Sequence, residues 1–169
     1  LREGILRQLD MAQRRALHAQ IGSALEAVYA LDLTPHYADL AYHYGEAGQF
    51  EREQRYARLA GEQAAAQFAN PKAITYLSRA LALTSDDAQT ERVALLLARE
   101  KVYHMLGQRE PQNEDLAALE ELVQTLADPT ARAEVALRRA DYTETIGDYP
   151  AAIIAAQQTI ELAKLAGDT

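Results

Sequence analysis

Apolar residues recur along this chain at helical spacing, and the interruptions fall at residues that start or stop helices. The clearest segment runs from Asn70 to Thr84. Asn70 reads as an N-cap and Pro71 as a first-turn residue, and Ala73, Ile74, Leu77, Ala80 and Leu81 then form one stripe, with alanines where a neighbouring helix must come close. Residues 2–9 give a short helix carrying Ile5, Leu6 and Leu9. Asp10, with Gln13 three residues on, caps the next, whose stripe is Leu17, Ile21, Leu25 and Val28. After a break at Leu31–Pro35, Thr34 and Pro35 open a helix bearing Tyr37, Leu40, Ala41 and Tyr44 and ending near Gly48, and a long helix covers 50–68. Ser85-Asp86-Asp87 caps a helix to Leu106 with Leu95, Leu96, Val102, Tyr103 and Leu106 turned inward. An irregular stretch at 108–112, broken by Pro111, precedes a helix capped by Asn113 and carrying Leu116, Leu119, Leu122, Val123 and Leu126. Asp128-Pro129 starts another that reaches Ile146, and Tyr149-Pro150 opens the last, through Ile153, Ile160, Leu162 and Leu165.

About nine helices, short joints and no strand pattern predict an all-α fold. Three joints share one form: Gly48-Gln49-Phe50, Gly107-Gln108-Arg109 and Gly147-Asp148-Tyr149, each a glycine stop, a polar residue and a bulky one. Such recurrence is an internal repeat, and it favours an α-solenoid of antiparallel helix pairs over a simple bundle.

Composition narrows the chemistry. The chain has 169 residues, a net charge of −8 and no cysteine, so disulfides, thiol catalysis and thiolate metal sites are excluded. Residues 1–84 carry 9 Lys/Arg against 9 Asp/Glu and residues 85–169 carry 8 against 16, so the whole acidic excess lies in the second half. Direct nucleic-acid binding requires a basic face that neutralises phosphates, and none is evident. The absence of any apolar run of membrane-spanning length and of a signal-peptide pattern leads to the expectation of a cytoplasmic chain that does not enter a membrane.

The residues Leu40, Ala41, Tyr44, Gly48, Phe50 and Ala60, then Ala73, Leu77, Ala80 and Leu83, and finally Ala136, Ala140, Gly147, Tyr149, Ala152 and Ala156 give the sequence a pattern that resembles tetratricopeptide-repeat proteins. Glu53 and Glu100 depart from it, standing where small residues belong, and the turn glycines are 59 and 40 residues apart, so the repeat is degenerate. The order Arg14-Arg15-x-Leu17-His18-x-x-Ile21-x-x-Ala24-Leu25-Glu26, Leu40-Ala41-x-His43-Tyr44-x-x-Ala47-Gly48 and Tyr56-x-x-x-Ala60-Gly61 is similar to the repeat region of large bacterial multidomain signalling ATPases. Those include transcriptional activators of the maltose-activator type and cyclase-fused ATPases. The resemblance implies a non-catalytic protein-interaction and regulatory module, with residues 1–10 the tail of an upstream linker or winged-helix region and 11–169 a repeat domain that continues further. No phosphate-binding Gly-x-x-x-x-Gly-Lys-Ser/Thr occurs in the chain itself. The alternatives are a free-standing adaptor of the same repeat class and, from a different class, a metal-dependent enzyme using the His36/Asp39/His43 face.

The resemblance also places the partner-binding concave face on Ala38, Tyr42 and Glu46 and on Leu137, Asp141 and Glu144. A related clamp for acidic chaperone tails uses lysine and asparagine at such places. Their absence here leads to the expectation of a basic or aromatic-bearing segment as partner, or of other domains of the same parent chain. No cofactor is expected. Three further groupings bear on catalysis. His36, Asp39 and His43 offer metal-ligand chemistry on one helical face, but the two histidines are seven residues apart, about 10 Å along the axis, and an Asp39–His43 contact is the plainer expectation. Ser23, Ser78 and Ser85 have no histidine close in sequence. The carboxylate pairs Asp86-Asp87, Glu114-Asp115 and Glu120-Glu121 read as helix-start or surface charges. Glu100 faces the inter-helix seam and is expected to form a buried salt bridge, with Arg79 or Arg139 as partner.

Overall fold

The computed structural model describes residues 10–167. Among them lie eight α-helices and no strand: α1 (Met11–Val28), α2 (Tyr37–Ala47), α3 (Phe50–Ala66), α4 (Asn70–Leu83), α5 (Gln89–Leu106), α6 (Arg109–Thr125), α7 (Pro129–Thr145) and α8 (Tyr149–Gly167), with a 3₁₀ turn at Thr34–His36 before α2. The all-α expectation is met with eight helices rather than about nine, and the helix expected over residues 2–9 lies outside the described residues.

The chain divides into two compact units, Leu1–Thr84 and Ser85–Thr169. In each, every helix packs mainly on its neighbours in sequence. Partners run in opposite order along adjacent helices, so those helices are antiparallel. In the first unit Gln54 of α3 hydrogen-bonds Thr84 and Gly61 faces Leu77; in the second, Gln89 of α5 meets Thr125 and Glu100 meets Gln112. Alanine and glycine make this close approach possible. Ala73, Leu77 and Ala80 of α4 are fully buried, and a Cβ on Gly61 would lie 2.8 Å from the Leu77 side chain.

Three helix reversals are built identically. Gly48, Gly107 and Gly147 have φ of +73°, +67° and +82°, and the next residue's N–H reaches back to the carbonyl five positions earlier: Gln49 to Tyr44 (2.9 Å), Gln108 to Tyr103 (3.0 Å) and Asp148 to Thr143 (2.9 Å). This left-handed cap satisfies helix-end carbonyls, and glycine adopts it without Cβ strain. A fourth reversal, after α3, has the same bond from Ala69 N–H to Ala64 (2.8 Å), but Phe68 occupies the left-handed position with φ +57°.

Local start signals succeed where a side chain has an orphan N–H to reach. Asp10 and Gln13 form a reciprocal capping box, and Asp128 accepts from Ala131 N–H at 3.0 Å. The helices α3 and α8 begin at Phe50 and Tyr149 as expected, whereas the starts of α4, α5 and α6 differ from expectation. Ala69, Ala88 and Gln108 occupy the cap positions of α4, α5 and α6, without side-chain caps. Asn70 therefore sits inside the first turn, its Oδ1 buried without a hydrogen-bond partner. The stretch 108–112 is not irregular: α6 begins at Arg109 and contains Pro111, because a first-turn residue has no intrahelical use for its N–H.

The cores are Leu40, Ala41, Tyr44, Tyr56, Ala57 and Ala60 with the α4 stripe, and, in the second unit, Val93, Leu95, Leu96, Val102, Leu116, Leu119, Val123 and Val135. The α1 stripe is corrected. Leu17 is exposed and Val28 is 73% exposed, while His18 and Gly22 carry the buried line, since a Cβ on Gly22 would meet the Tyr44 ring at 2.9 Å. Leu106 also turns outward.

Candidate interaction surfaces

In the first unit Ala38, Tyr42 and Glu46 follow one another at one-turn intervals along α2, and Tyr42 and Glu46 meet His18 and Arg14 of α1. Ala38 is half-buried, Tyr42 is 59% exposed and Glu46 is exposed, 3.4 Å from Arg14. The Tyr42 ring stands edge-on to His18 and His43, at centroid distances of 5.7 and 5.2 Å. In the second unit Leu137, Asp141 and Glu144 of α7 line one groove of about 420 Å³ with Tyr149, Ala152, Ile153 and Ala156 of α8. Leu137 and Asp141 also edge an adjoining hollow of about 530 Å³ that reaches Glu134, Arg138 and Thr159.

The sequence reading missed the contribution of α8. Tyr149, Ile153, Ile154, Ile160 and Leu165 are each more than half exposed, and Ala155 is the one residue of the helix that is buried. The Tyr149–Ile153–Ile160 spacing was the available signal. In the groove Tyr149 and Ile153 lie beside Asp141 and Glu144, so an apolar floor meets an acidic edge.

The His36/Asp39/His43 grouping is not brought to one point. His36 stacks on Tyr29 at 3.8 Å and lies 3.7 Å from Asp39, whereas His43 Nδ1 faces His18 Nδ1 at 2.9 Å. The expected Asp39–His43 contact is thus replaced by a partner on α1 that sequence spacing could not indicate. No group of three potential ligands able to hold a metal occurs among the described residues.

The paired carboxylates go to different surroundings. Asp115 is buried in a bidentate pair with Arg99 (2.6 and 2.9 Å) while Glu114 is exposed; Glu120 receives Arg139 at 2.7 and 2.8 Å while Glu121 is exposed. Both Asp115 and Glu114 lie in the second turn of α6 rather than at its start, because the helix begins earlier than expected. Burial lowers the Arg99 pKa, but the Asp115 hydrogen bonds and charge reverse that and leave it raised.

Glu100 is buried at 1% exposure, as expected, but with other partners. Gln112 Nε2 donates to Oε1 at 2.7 Å and Arg138 Nη1 lies 3.7 Å from Oε2. Arg79 instead forms a bidentate pair with Glu53 at 2.6 and 3.0 Å, and Arg139 is held by Glu120 and Asn113. Glu53, the other departure from small residues, fits because Gly45 opposite has no side chain: a Cβ there would be 2.9 Å from the carboxyl.

Glu26 of α1 ties three helices. It accepts from the Tyr44 hydroxyl at 2.7 Å and from the Tyr56 hydroxyl, with Arg52 at 3.5 Å. Burial raises the carboxyl's pKa, but the two hydroxyls and the charges of Arg52 and Arg55 outweigh it and leave Glu26 below the usual range. Burial, reinforced by the hydrogen bond to Glu26, pushes the Tyr56 hydroxyl up to about 12.

No family model matches the sequence, and comparison with curated proteins finds no significant match. No helix among the described residues is long and apolar enough to cross a membrane.

Proposed function

We propose that this chain is a degenerate tetratricopeptide-like α-solenoid that binds a protein or peptide segment, or other domains of its parent chain, and serves as the sensor or scaffold of a larger signalling ATPase or transcriptional regulator. The observation that supports the repeat reading is the reversal itself. The same left-handed turn with the same backbone hydrogen bond recurs at Gly48, Gly107 and Gly147, each joining two helices packed on one another. The support for binding is the exposed Tyr42 on α2 and the groove in which Leu137, Tyr149 and Ile153 lie beside Asp141 and Glu144. An apolar floor supplies affinity and an acidic edge selects a basic segment.

Titration with peptides that alternate leucine or phenylalanine with lysine, read by fluorescence anisotropy, tests this. Binding is expected to weaken at least several-fold in the double variant Asp141→Asn/Glu144→Gln, and acidic peptides of the same apolar content should not bind. Equal binding of acidic and basic peptides, or none, would contradict the reading.

A further inference from the structure

We propose that the second unit holds a separate binding site for a small monocarboxylate with an aliphatic body, in a hollow of about 420 Å³ walled by α6, α7 and α8. Its apolar lining is Val123, Val135, Ala136 and Leu162, of which Val123 and Val135 are buried. Arg132, Arg139 and Glu120 supply its charges, and Gln124 and Gln158 its amides. The α7 residues Arg132, Val135, Ala136 and Arg139 recur at one-turn spacing, on a different face of the helix from Leu137, Asp141 and Glu144. A space of this size, apolar with a few polar groups, has the character of a small-molecule site.

The charges select the kind of molecule that fits. Glu120 and Arg139 cancel each other: Arg139 gives its Nε and Nη2 to the two carboxylate oxygens at 2.7 and 2.8 Å, and its Nη1 to Asn113 at 2.7 Å. Arg132 has no such carboxylate. Its Nε donates to the Val123 carbonyl at 2.8 Å and its Nη2 to the carbonyls of Gln124 and Leu126 at 3.0 and 2.7 Å, which satisfies acceptors at the end of α6. Capping uses that edge of the guanidinium alone. Among the described residues Nη1 has no hydrogen-bond partner, and no carboxylate forms an ion pair with Arg132. Two arginines against one glutamate leave the hollow with one uncompensated positive charge, in a stretch where residues 85–169 carry 8 Lys/Arg against 16 Asp/Glu.

A carboxylate answers that charge: it accepts a charge-assisted hydrogen bond from the guanidinium of Arg132, beside a wall that holds little water to screen the pair. The hydrocarbon body leaves water against Val123, Val135, Ala136 and Leu162. Gln124 and Gln158 are exposed and their amide groups make no hydrogen bond within the described residues, so they supply donors at the rim for the remaining carboxylate oxygen. A cationic molecule would set its charge against Arg132 while Glu120 is already taken by Arg139. Inorganic phosphate or sulfate would leave the apolar wall uncovered.

NMR titration of the full chain with sodium octanoate tests the site, with octanamide and octylammonium as the neutral and cationic probes. Octanoate is expected to saturate, with a dissociation constant on the order of 1 mM, and to shift the methyl resonances of Val123, Val135 and Leu162 more than those of Leu137 and Ile153. Octanamide and octylammonium should bind at least about fivefold more weakly, and Arg132→Gln should weaken octanoate by a similar factor. Gln158→Glu exchanges an exposed amide for a carboxylate of the same size and should repel octanoate without disturbing the fold, so it stands as the test should Arg132→Gln lose the α6 cap and unfold. Octanoate that fails to saturate, that binds no better than octanamide, that binds Gln158→Glu as well as wild type, or that shifts Leu137 and Ile153 instead, would overturn the proposal.

Discussion

The turn after α3 offers a comparison in which strain and packing separate. Phe68 holds φ +57° where the three equivalent turns use glycine, and it is 77% exposed. A side chain in the left-handed region costs roughly 1–2 kcal/mol, whereas glycine loses about 0.5–1 kcal/mol through the greater freedom of the unfolded chain. The phenyl ring has less than a quarter of its surface covered, worth about 1 kcal/mol at most. Phe68→Gly therefore relieves strain but loses ring contacts and should lie near wild type. Phe68→Ala loses the same contacts and keeps the strain. The prediction is the difference between the two: glycine should be more stable than alanine at position 68 by about 0.5–1 kcal/mol. That order is the reverse of an ordinary helix interior, where glycine is the weaker residue by about the same amount. Urea unfolding followed by circular dichroism at 222 nm resolves such a gap, provided the slopes match. Alanine equal to or above glycine would show that position 68 is not left-handed in solution, and the fourth repeat of the turn would fall.

Three other outcomes follow from the packing and the charges. Ala80 is fully buried in the α3–α4 seam, so Ala80→Leu should overpack it and cost roughly 1–3 kcal/mol; an unchanged melting temperature would remove the seam as described. Asp115→Ala leaves Arg99 without its buried carboxylate and should destabilise the protein by about 3–5 kcal/mol, more than Glu114→Ala on the exposed side of α6, and equal effects in calorimetry would contradict the pairing. Because the Tyr56 hydroxyl is raised to about 12 from an unfolded value of 10.0, the stability it contributes is fully present below pH 10 and lost as pH rises towards 12. Alkaline unfolding should show that loss, Tyr56→Phe should flatten it, and a Tyr56→Phe profile as steep as wild type would refute the assignment.

The parts of the fold legible in the sequence are those decided within a few residues. A left-handed glycine, a capping box at Asp10 and an aspartate before Pro129 each act on their own turn, and each was placed correctly. Phe68 was invisible as a left-handed position because nothing in its side chain asks for that conformation; the reversal is imposed by α3 packing on α4. Pro111 misled in the opposite direction, since a proline ends a helix only once the turn before it exists. Partners across helices were the least legible. Glu100 was recognisable as inward-facing from its spacing, but whether it meets Arg79, Arg139 or Arg138 depends on the register between helices. The same holds for His43, whose partner on α1 is 25 residues away. The groove residues of α7 could be proposed from the resemblance, while the α8 side of that groove emerges only when the two helices are set against each other.

The proposal that this chain works as a binding module is tested most directly by site-specific photo-cross-linking of the protein in its own cells. With a benzophenone side chain at Tyr42 or Leu137, adducts to a partner protein or to another domain of the same chain are expected. The same group at the exposed Lys72 or Lys101 should give none. Cross-links that are absent at Tyr42 and Leu137, or equally abundant at all four positions, would contradict the account.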